Sequence, residues 1–380
     1  MLTNNSQITT RHLRGERISA LAELEGCSIT AIAKKIRTSQ PHLSRIINGD
    51  LDFPTRVAES LALTFCLPLS FFEAPELPQD KAATTFRKKS TTRILTDRKV
   101  SRVFSEGSRL WRETSEKSGY KTCDLTEKTA GSQTAEEAAL SLREAMGISG
   151  DSPIRSVTRL AEHCGVGVID VLLSQSVGED EYSGISRPST HEHRPLIACV
   201  NSRPGAVQRM TLAHELGHLI FDHDLLTHPK VRSVEERRAF AFAGALLLPE
   251  EMMIREVDEG ATLNQFLRIK ARYGVSVGAI VVRAERLGLI SSMRSRSLHI
   301  QLNSRGWRQN EPVLVRAEKP GLLGQAFSRA WGGSVDAASR ATGVPSPLIR
   351  GWLHEEGRHD GAADNVVAFS SRRRSGYAAK

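Results

Sequence analysis

Thr211-Leu212-Ala213-His214-Glu215-Leu216-Gly217-His218 carries a His-Glu-x-x-His pattern inside an apolar run from Met210 to Phe221. The run is compatible with a helix. Four residues is slightly more than one helical turn, so His214 and His218 fall on one face. Two neutral imidazoles so placed can fill two corners of a tetrahedral zinc site, and Glu215 is positioned to take a proton from water at the metal. Leu212, Leu216 and Leu219 would seat such a helix in a core. The competing reading is a chance match on an ordinary buried helix, because the pattern fixes only three positions.

Zinc needs a third protein donor and one open position. The loop after His218 offers Asp222, His223, Asp224 and His228. The extended three-histidine pattern fails there, because its glycine and third histidine positions hold Phe221 and Asp224. The next apolar helix, expected from Val234 to Leu248 and stopped by Pro249, carries Glu235 and Glu236 in its first turn. Either could complete a two-histidine, one-carboxylate set. Either could equally be an ordinary acid complementing the helix dipole. Spacing alone does not choose between them.

Working back to the N-terminus, short helices are expected over Arg17–Leu24, Ile29–Ile36, Gln40–Asn48 and Val57–Thr64, closed by Leu67-Pro68-Leu69-Ser70-Phe71-Phe72. Ser28 and Ser39 can cap the second and third, Pro41 suits a first turn, and Gly49 is a stop. Two short helices around the polar turn Arg37-Thr38-Ser39 have the helix-turn-helix layout. The second would offer Gln40, His42, Ser44 and Arg45 to base edges, while Arg37, Lys34 and Lys35 suit phosphates. A solvated protein-interaction bundle is the alternative.

The remaining expectations follow the same periodicities. Pro75–Gln79 reads as a hinge, and Phe86–Lys117 as a basic helical segment anchored by Leu110 and Trp111. Helices are expected over Thr134–Met146, Ile154–Cys164, Leu263–Tyr273 and Val277–Leu287. Strands are expected over Val166–Leu172, Ser183–Ser186 and Pro195–Asn201. Val335–Trp352 reads as a helical cap or dimerisation piece, with a second helix-turn-helix as the weaker reading because Pro345 and Pro347 interrupt it. The Ala/Ser/Arg-rich end reads as disordered.

The fold expected is mainly α with a small central β-sheet (α+β), combining an N-terminal helix-turn-helix bundle with a zincin-like metallopeptidase domain. The divisions are 11–74 for the DNA reader, 75–133 for a linker and helical connector, 134–295 for the metallopeptidase, 296–359 for a C-terminal helical region and 360–380 for a basic tail. A chain of 380 residues with 39% hydrophobic content holds about two or three domains of this kind. Its net charge of +9 favours an anionic partner, with double-stranded DNA the first candidate. Five scattered cysteines without a Cys-x-x-Cys argue against a disulfide framework and for a reducing cytoplasm. No run is long enough to span a bilayer, and the polar N-terminus is unlike a signal peptide.

Two segments add resemblances. Ser28–Ile36 followed by Ser39–Gly49 resembles the XRE (Cro/CI-type) helix-turn-helix family. Thr211–His218 followed by Glu236-Arg237-Arg238-Ala239 and the run to Pro249 resembles the ImmA/IrrE family of metallo-endopeptidases. Val200-Asn201, Arg209-Met210, Arg272–Ser276 and Leu287–Ile290 fit it too. The latter resemblance implies that Glu236, three residues before Ala239, is the third zinc ligand and that Glu215 is the catalytic base. A polar residue often follows that alanine, whereas this chain has Phe240, which questions a hydrogen bond to a ligand histidine. Tyr182, Tyr273 and His223 are the candidates for oxyanion stabilisation. Together the resemblances imply a DNA-binding transcription regulator, a homodimer on a two-fold operator, whose zinc site cuts a partner protein such as a repressor. The alternative is a transcription factor whose zinc domain is a non-catalytic sensor or dimerisation scaffold.

Overall fold

A computed structural model describes residues 12–353 apart from 78–79, 81, 86–93, 174–182, 224, 226 and 231–232. The chain is mostly helical around one small three-stranded sheet, as its periodicities indicate. The sheet has the order β1 (Gly167–Ile169), β3 (Leu196–Cys199), β2 (Gly184–Ser186). β3 runs parallel to β1, pairing Val168 with Ile197, and antiparallel to β2, pairing Ile185 with Ala198. β2 is therefore an edge strand of the sheet.

The N-terminal bundle comprises α1 (Glu16–Glu25), α2 (Ile29–Lys35), α3 (Gln40–Ile47) and α4 (Thr55–Thr64), closed by a 3-10 turn at Leu69–Phe72. Ser28 Oγ accepts from Ala31 N at 3.2 Å and Ser39 Oγ from His42 N at 3.3 Å, so both caps satisfy amides that the helix itself leaves unpaired. Arg37, at φ 55°, takes the left-handed turn between α2 and α3. Ile18, Leu21, Ile32, Leu43, Ile46, Leu61, Phe71 and Phe72 fill the bundle.

The bundle is bonded to the rest of the molecule through α5 (Ile94–Lys117). Arg17 donates to Glu106 Oε1 at 2.9 Å, and both side chains are fully buried. Arg17 Nε also donates to Phe71 O at 2.8 Å, and its guanidinium lies 4.0 Å from the centre of the Phe71 ring.

The sheet is covered on both faces. Val168, Ile197 and Cys199 join Leu212 and Leu216 in one core. Ile169, Ile185, Leu196 and Ala198 join Val100, Phe104 and Trp111 of α5 in the other. Strand residues alternate between the two because successive side chains point to opposite faces. Gly167 is required where it stands, since a Cβ there would lie 2.7 Å from the Trp111 ring.

The first core is built from α6 (Leu125–Lys128), α7 (Ala135–Ala145), α8 (Val157–His163), α9 (Gly205–Phe221), α10 (Val234–Leu247), α11 (Glu250–Glu256), α12 (Leu263–Tyr273), α13 (Val277–Arg286) and α14 (Ser292–Ser304). Glu318 ties the following loop back to it by accepting from Val157 N and Thr158 N at 3.1 and 2.7 Å, at the start of α8. α15 (Leu322–Trp331), α16 (Val335–Thr342) and α17 (Ser346–Trp352) close the second core. Trp331 Nε1 donates to Thr114 Oγ1 at 2.9 Å, Trp352 Nε1 to Leu172 O at 3.0 Å, and Ser70 Oγ to Ser339 O at 3.3 Å. The 335–352 stretch thus packs under the sheet and against the turn that ends the N-terminal bundle.

Several elements are shorter than expected. The Val166–Leu172 segment is a strand only over Gly167–Ile169, and the Ile154–Cys164 helix starts at Val157 because Ser156 caps it. The basic segment is helical from Ile94; Phe86-Arg87-Lys88 and the 360–380 tail lie outside the described residues. Among the described residues no helix is long and apolar enough to cross a membrane.

Candidate metal centre

α9 is apolar nearly all round, as a helix through the middle of a core must be. It brings His214 and His218 together with their rings edge to face, 4.6 Å between centroids. Their Nε2 atoms are 3.0 Å apart. α10 begins at Ser233, whose Oγ accepts from Glu236 N at 3.3 Å. That cap places Glu236 in the first turn with its side chain buried against α9. Glu236 Oε2 lies 3.6 Å from His214 Nε2, and Oε1 lies 3.3 Å from His218 Nε2. Glu236, rather than Glu235, is the acid brought to both imidazoles.

The close approach of the two helices depends on Gly217. A Cβ there would lie 3.1 Å from Ala239 Cα and 3.2 Å from Phe242 Cδ1. A larger residue at position 217 would press on Ala239 and Phe242 of α10, the helix that carries Glu236.

Asp222 is not a third donor but the anchor of one. Its Oδ2 accepts from His218 Nδ1 at 2.5 Å, and its Oδ1 pairs with Arg238. That bond leaves Nε2 of His218 turned towards Glu236. Burial alone would lower the His218 pKa, but its contacts with Asp222 and Glu236, reinforced by the charge of Glu215, hold it up at about 9. Burial likewise works to raise the Glu236 pKa, and the close approach of the two imidazoles, His214 and His218, overcomes it and pulls it down to about 2.

His214 is held differently. Its Nδ1 is buried with no hydrogen-bond partner among the described residues, and the Phe240 ring packs 4.2 Å from its own. The departure noted at Phe240 therefore replaces a hydrogen bond with an aromatic contact.

The donors fit a divalent cation. His214, His218 and Glu236 are all buried, and their ligand atoms lie within 4.8 Å of one another. The separations of 3.0–3.6 Å bracket the edge of about 3.3 Å expected for a tetrahedron with bonds near 2 Å. Glu236 Oε1 is buried without a hydrogen-bond partner among the described residues, an orphan that a cation would satisfy. Two imidazoles and a carboxylate are a donor set suited to zinc.

Residues 178–285 match the Peptidase_M78 family model, the IrrE N-terminal-like domain. The match spans all three donors and Glu215, so this part of the chain is similar to a metallopeptidase-type domain. It does not extend over α1–α4 or α15–α17. No curated protein matches the chain.

Within the IrrE-like domain the Glu215 carboxylate is buried beside the donors. Its Oε2 accepts from Ser186 Oγ and from Thr85 Oγ1, each at 2.7 Å. Gly184 makes room for it, because a Cβ there would meet Glu215 Oε1 at 2.6 Å. Sequence reasoning missed Thr85 and Ser186. They stand 130 and 29 residues from Glu215, and no local pattern connects them.

Of the oxyanion candidates, Tyr273 is excluded. Its hydroxyl donates to Asp151 O at 2.6 Å and its ring belongs to the first core. Tyr182 lies outside the described residues. His223 follows Asp222, and neither of its ring nitrogens has a partner among the described residues. On α3 and its preceding turn, Arg37, Gln40 and Arg45 are exposed and His42 and Ser44 half-buried. Gln40 Nε2 donates to Ser44 Oγ at 2.7 Å. Lys34 and Lys35 are exposed on the neighbouring α2.

Proposed function

We infer that this chain is a zinc-dependent endopeptidase joined to a DNA reader, a cytoplasmic transcription regulator whose peptidase site cuts a partner protein such as a repressor. The observation that carries this reading is the convergence of His214, His218 and Glu236 on one buried point, with the Glu215 carboxylate beside it.

In this reading His214, His218 and Glu236 hold the metal, and Asp222 fixes the ring of His218. Zinc supplies a Lewis acid that makes water a nucleophile near neutral pH. Glu215 removes a proton from the attacking water and returns it to the leaving amine nitrogen, so it ends the cycle as it began. His223 is the remaining described candidate for the developing oxyanion.

The DNA-reading half of the proposal rests on α2 and α3. Exposed Arg37, Lys34 and Lys35 suit phosphates, while Gln40, His42, Ser44 and Arg45 lie on the side of α3 that a major groove would meet. A homodimer on a two-fold operator follows from that mode of binding. A second reading, a sensor or scaffold without turnover, is favoured by one observation: Glu215 is already engaged by two hydroxyls.

The test is direct. Zinc content of the purified chain is compared with that of His218→Ala, and candidate repressors are incubated with the zinc-loaded protein and mapped by mass spectrometry. A discrete cut that disappears in Glu215→Gln supports the peptidase. Cutting that survives Glu215→Gln removes Glu215 as the base, and bound zinc with no cut in any candidate favours the scaffold.

A further inference from the structure

β2 is the edge of the sheet, and an edge strand offers unpaired N–H and C=O groups to any extended peptide. This edge runs beside Glu215. Gly184 and Ser186, two apart, face α9 and the carboxylate, while Ile185 points into the second core. A peptide laid along β2 would therefore pass over the centre.

The chain's own segment already lies there. Thr85 N donates to Ser186 O at 2.9 Å, and Ser186 N donates to Thr85 Oγ1 at 3.0 Å. The Thr85 hydroxyl then reaches Glu215 at 2.7 Å. Thr84 is pinned from the other side, its carbonyl 2.6 Å from His228 Nδ1. Thr84 and Thr85 are 2% and 1% exposed, and Glu215 is 2% exposed, so the segment seals the carboxylate from water.

Asp80 anchors the same segment upstream. Its carboxylate accepts from Leu77 N at 3.0 Å and lies 3.6 Å from Arg187, the residue that follows Ser186. Arg109 and Arg112 of α5 add further charge at 4.0 and 3.8 Å. Asp80 and Thr85 are thus both held at β2, one through Arg187 and the other through Ser186.

We propose that Thr84–Thr85 is a tethered occupant of the substrate groove. The peptide to be cut binds as an extended strand on the free edge of β2, and it must first displace this segment. The proposal rests on the peptidase reading and specifies how that site is regulated and what shape of substrate it takes. Tethering is what makes the occupant effective, because a linked segment competes at an effective concentration that a free peptide seldom reaches. It also reconciles the engaged Glu215 with a working base, since the hydroxyl of Thr85 leaves with the segment.

The test uses the full chain and a fluorescein-labelled peptide carrying residues 80–90, with binding read by anisotropy. Thr85→Pro removes the amide that donates to Ser186 O. Thr85→Val keeps the β-branched shape and removes the hydroxyl, so it serves if the proline variant does not fold. Each variant is first checked by circular dichroism and thermal melting. Release of the tethered occupant is expected to tighten peptide binding by about tenfold or more relative to wild type. Equal binding by wild type and the folded variants overturns the proposal.

Cleavage of unfolded casein by the zinc-loaded proteins separates this failure from failure of the peptidase reading. Tighter peptide binding with no cut by any variant retains the occupied groove and rejects the peptidase. Casein cut by wild type as fast as by both variants retains the peptidase and rejects the tethered occupant.

Discussion

Gly217 sets the distance between the two helices of the centre. Replacing it with alanine puts a methyl against Ala239 and Phe242, an overpacking expected to cost about 1–3 kcal/mol. The same shift draws Glu236 away from the imidazoles. Gly217→Ala should therefore melt earlier than wild type and also bind zinc more weakly, whereas a purely structural effect would leave the affinity of the folded protein unchanged. Calorimetry and a zinc titration on the same sample distinguish the two.

The metal-free centre also gives the protein a pH signature. His218 has a raised pKa, so its contribution to stability is full below its ordinary value of 6.5 and is lost as pH rises through about 9. Glu236 has a depressed pKa, so its contribution is full above 4.5 and is lost as pH falls through about 2. Both contribute fully between pH 4.5 and 6.5. The melting temperature of the metal-free chain should decline from that window towards pH 9, while zinc uptake strengthens over the same range because the imidazole proton has to leave. A flat melting profile from pH 6.5 to 9 in the chelated protein would contradict the coupled His218–Glu236 arrangement.

The histidine pair was legible because its spacing is that of a single helical turn. Glu236 was legible only as one of two neighbouring acids, since both occupy the first turn of α10 and only the burial of one tells them apart. Asp222 could be read as a loop acid four residues after His218, but its bond to the outer nitrogen needed the fold.

At the scale of elements, helix caps were the most readable signals. Ser28 and Ser39, the two caps read from the sequence, each cap the helix that follows, and Ser233 and Ser276, not read as caps, do the same. Strand limits were less legible, because β1 has all its residues buried and so lacks the polar alternation that marks a half-buried strand. α3 carries the DNA proposal, and its residues should separate by role. Arg45→Ala should lose about 1–3 kcal/mol on a duplex selected from a random pool and relax its preference at one base. Arg37→Ala should weaken all duplexes alike and flatten the salt dependence. Unchanged binding by both variants would leave α3 as a solvated helix of a protein-interaction bundle.

For the molecule as a whole, the unforeseen feature is that the N-terminal bundle and α15–α17 meet in one core on one face of the sheet. Residues 17 and 106, like 70 and 339, are too far apart in sequence for any periodicity to pair them. Arg17→Met should cost up to about 3–5 kcal/mol, because it leaves the buried Glu106 carboxylate with only the longer ion pair to Arg109 at 3.6 Å. Adding Glu106→Leu should recover most of that loss, since a well-packed apolar pair of similar volume is often as stable as a buried ion pair. Denaturant melts of the two variants decide this, and additive losses would show that the pair does not act as a unit.

α17 closes against Leu172 and against Gly107 of α5, near the end of the described chain. Ribosomes deliver residues in order, so α5 can cover its part of the sheet early, while the part beneath α17 waits until Trp352 has emerged. A nascent polypeptide truncated before that tryptophan would carry the complete His-Glu-x-x-His helix yet leave apolar strand surface open to chaperones and proteases. The last cover over the sheet is thereby added only after the His-Glu-x-x-His helix has been made.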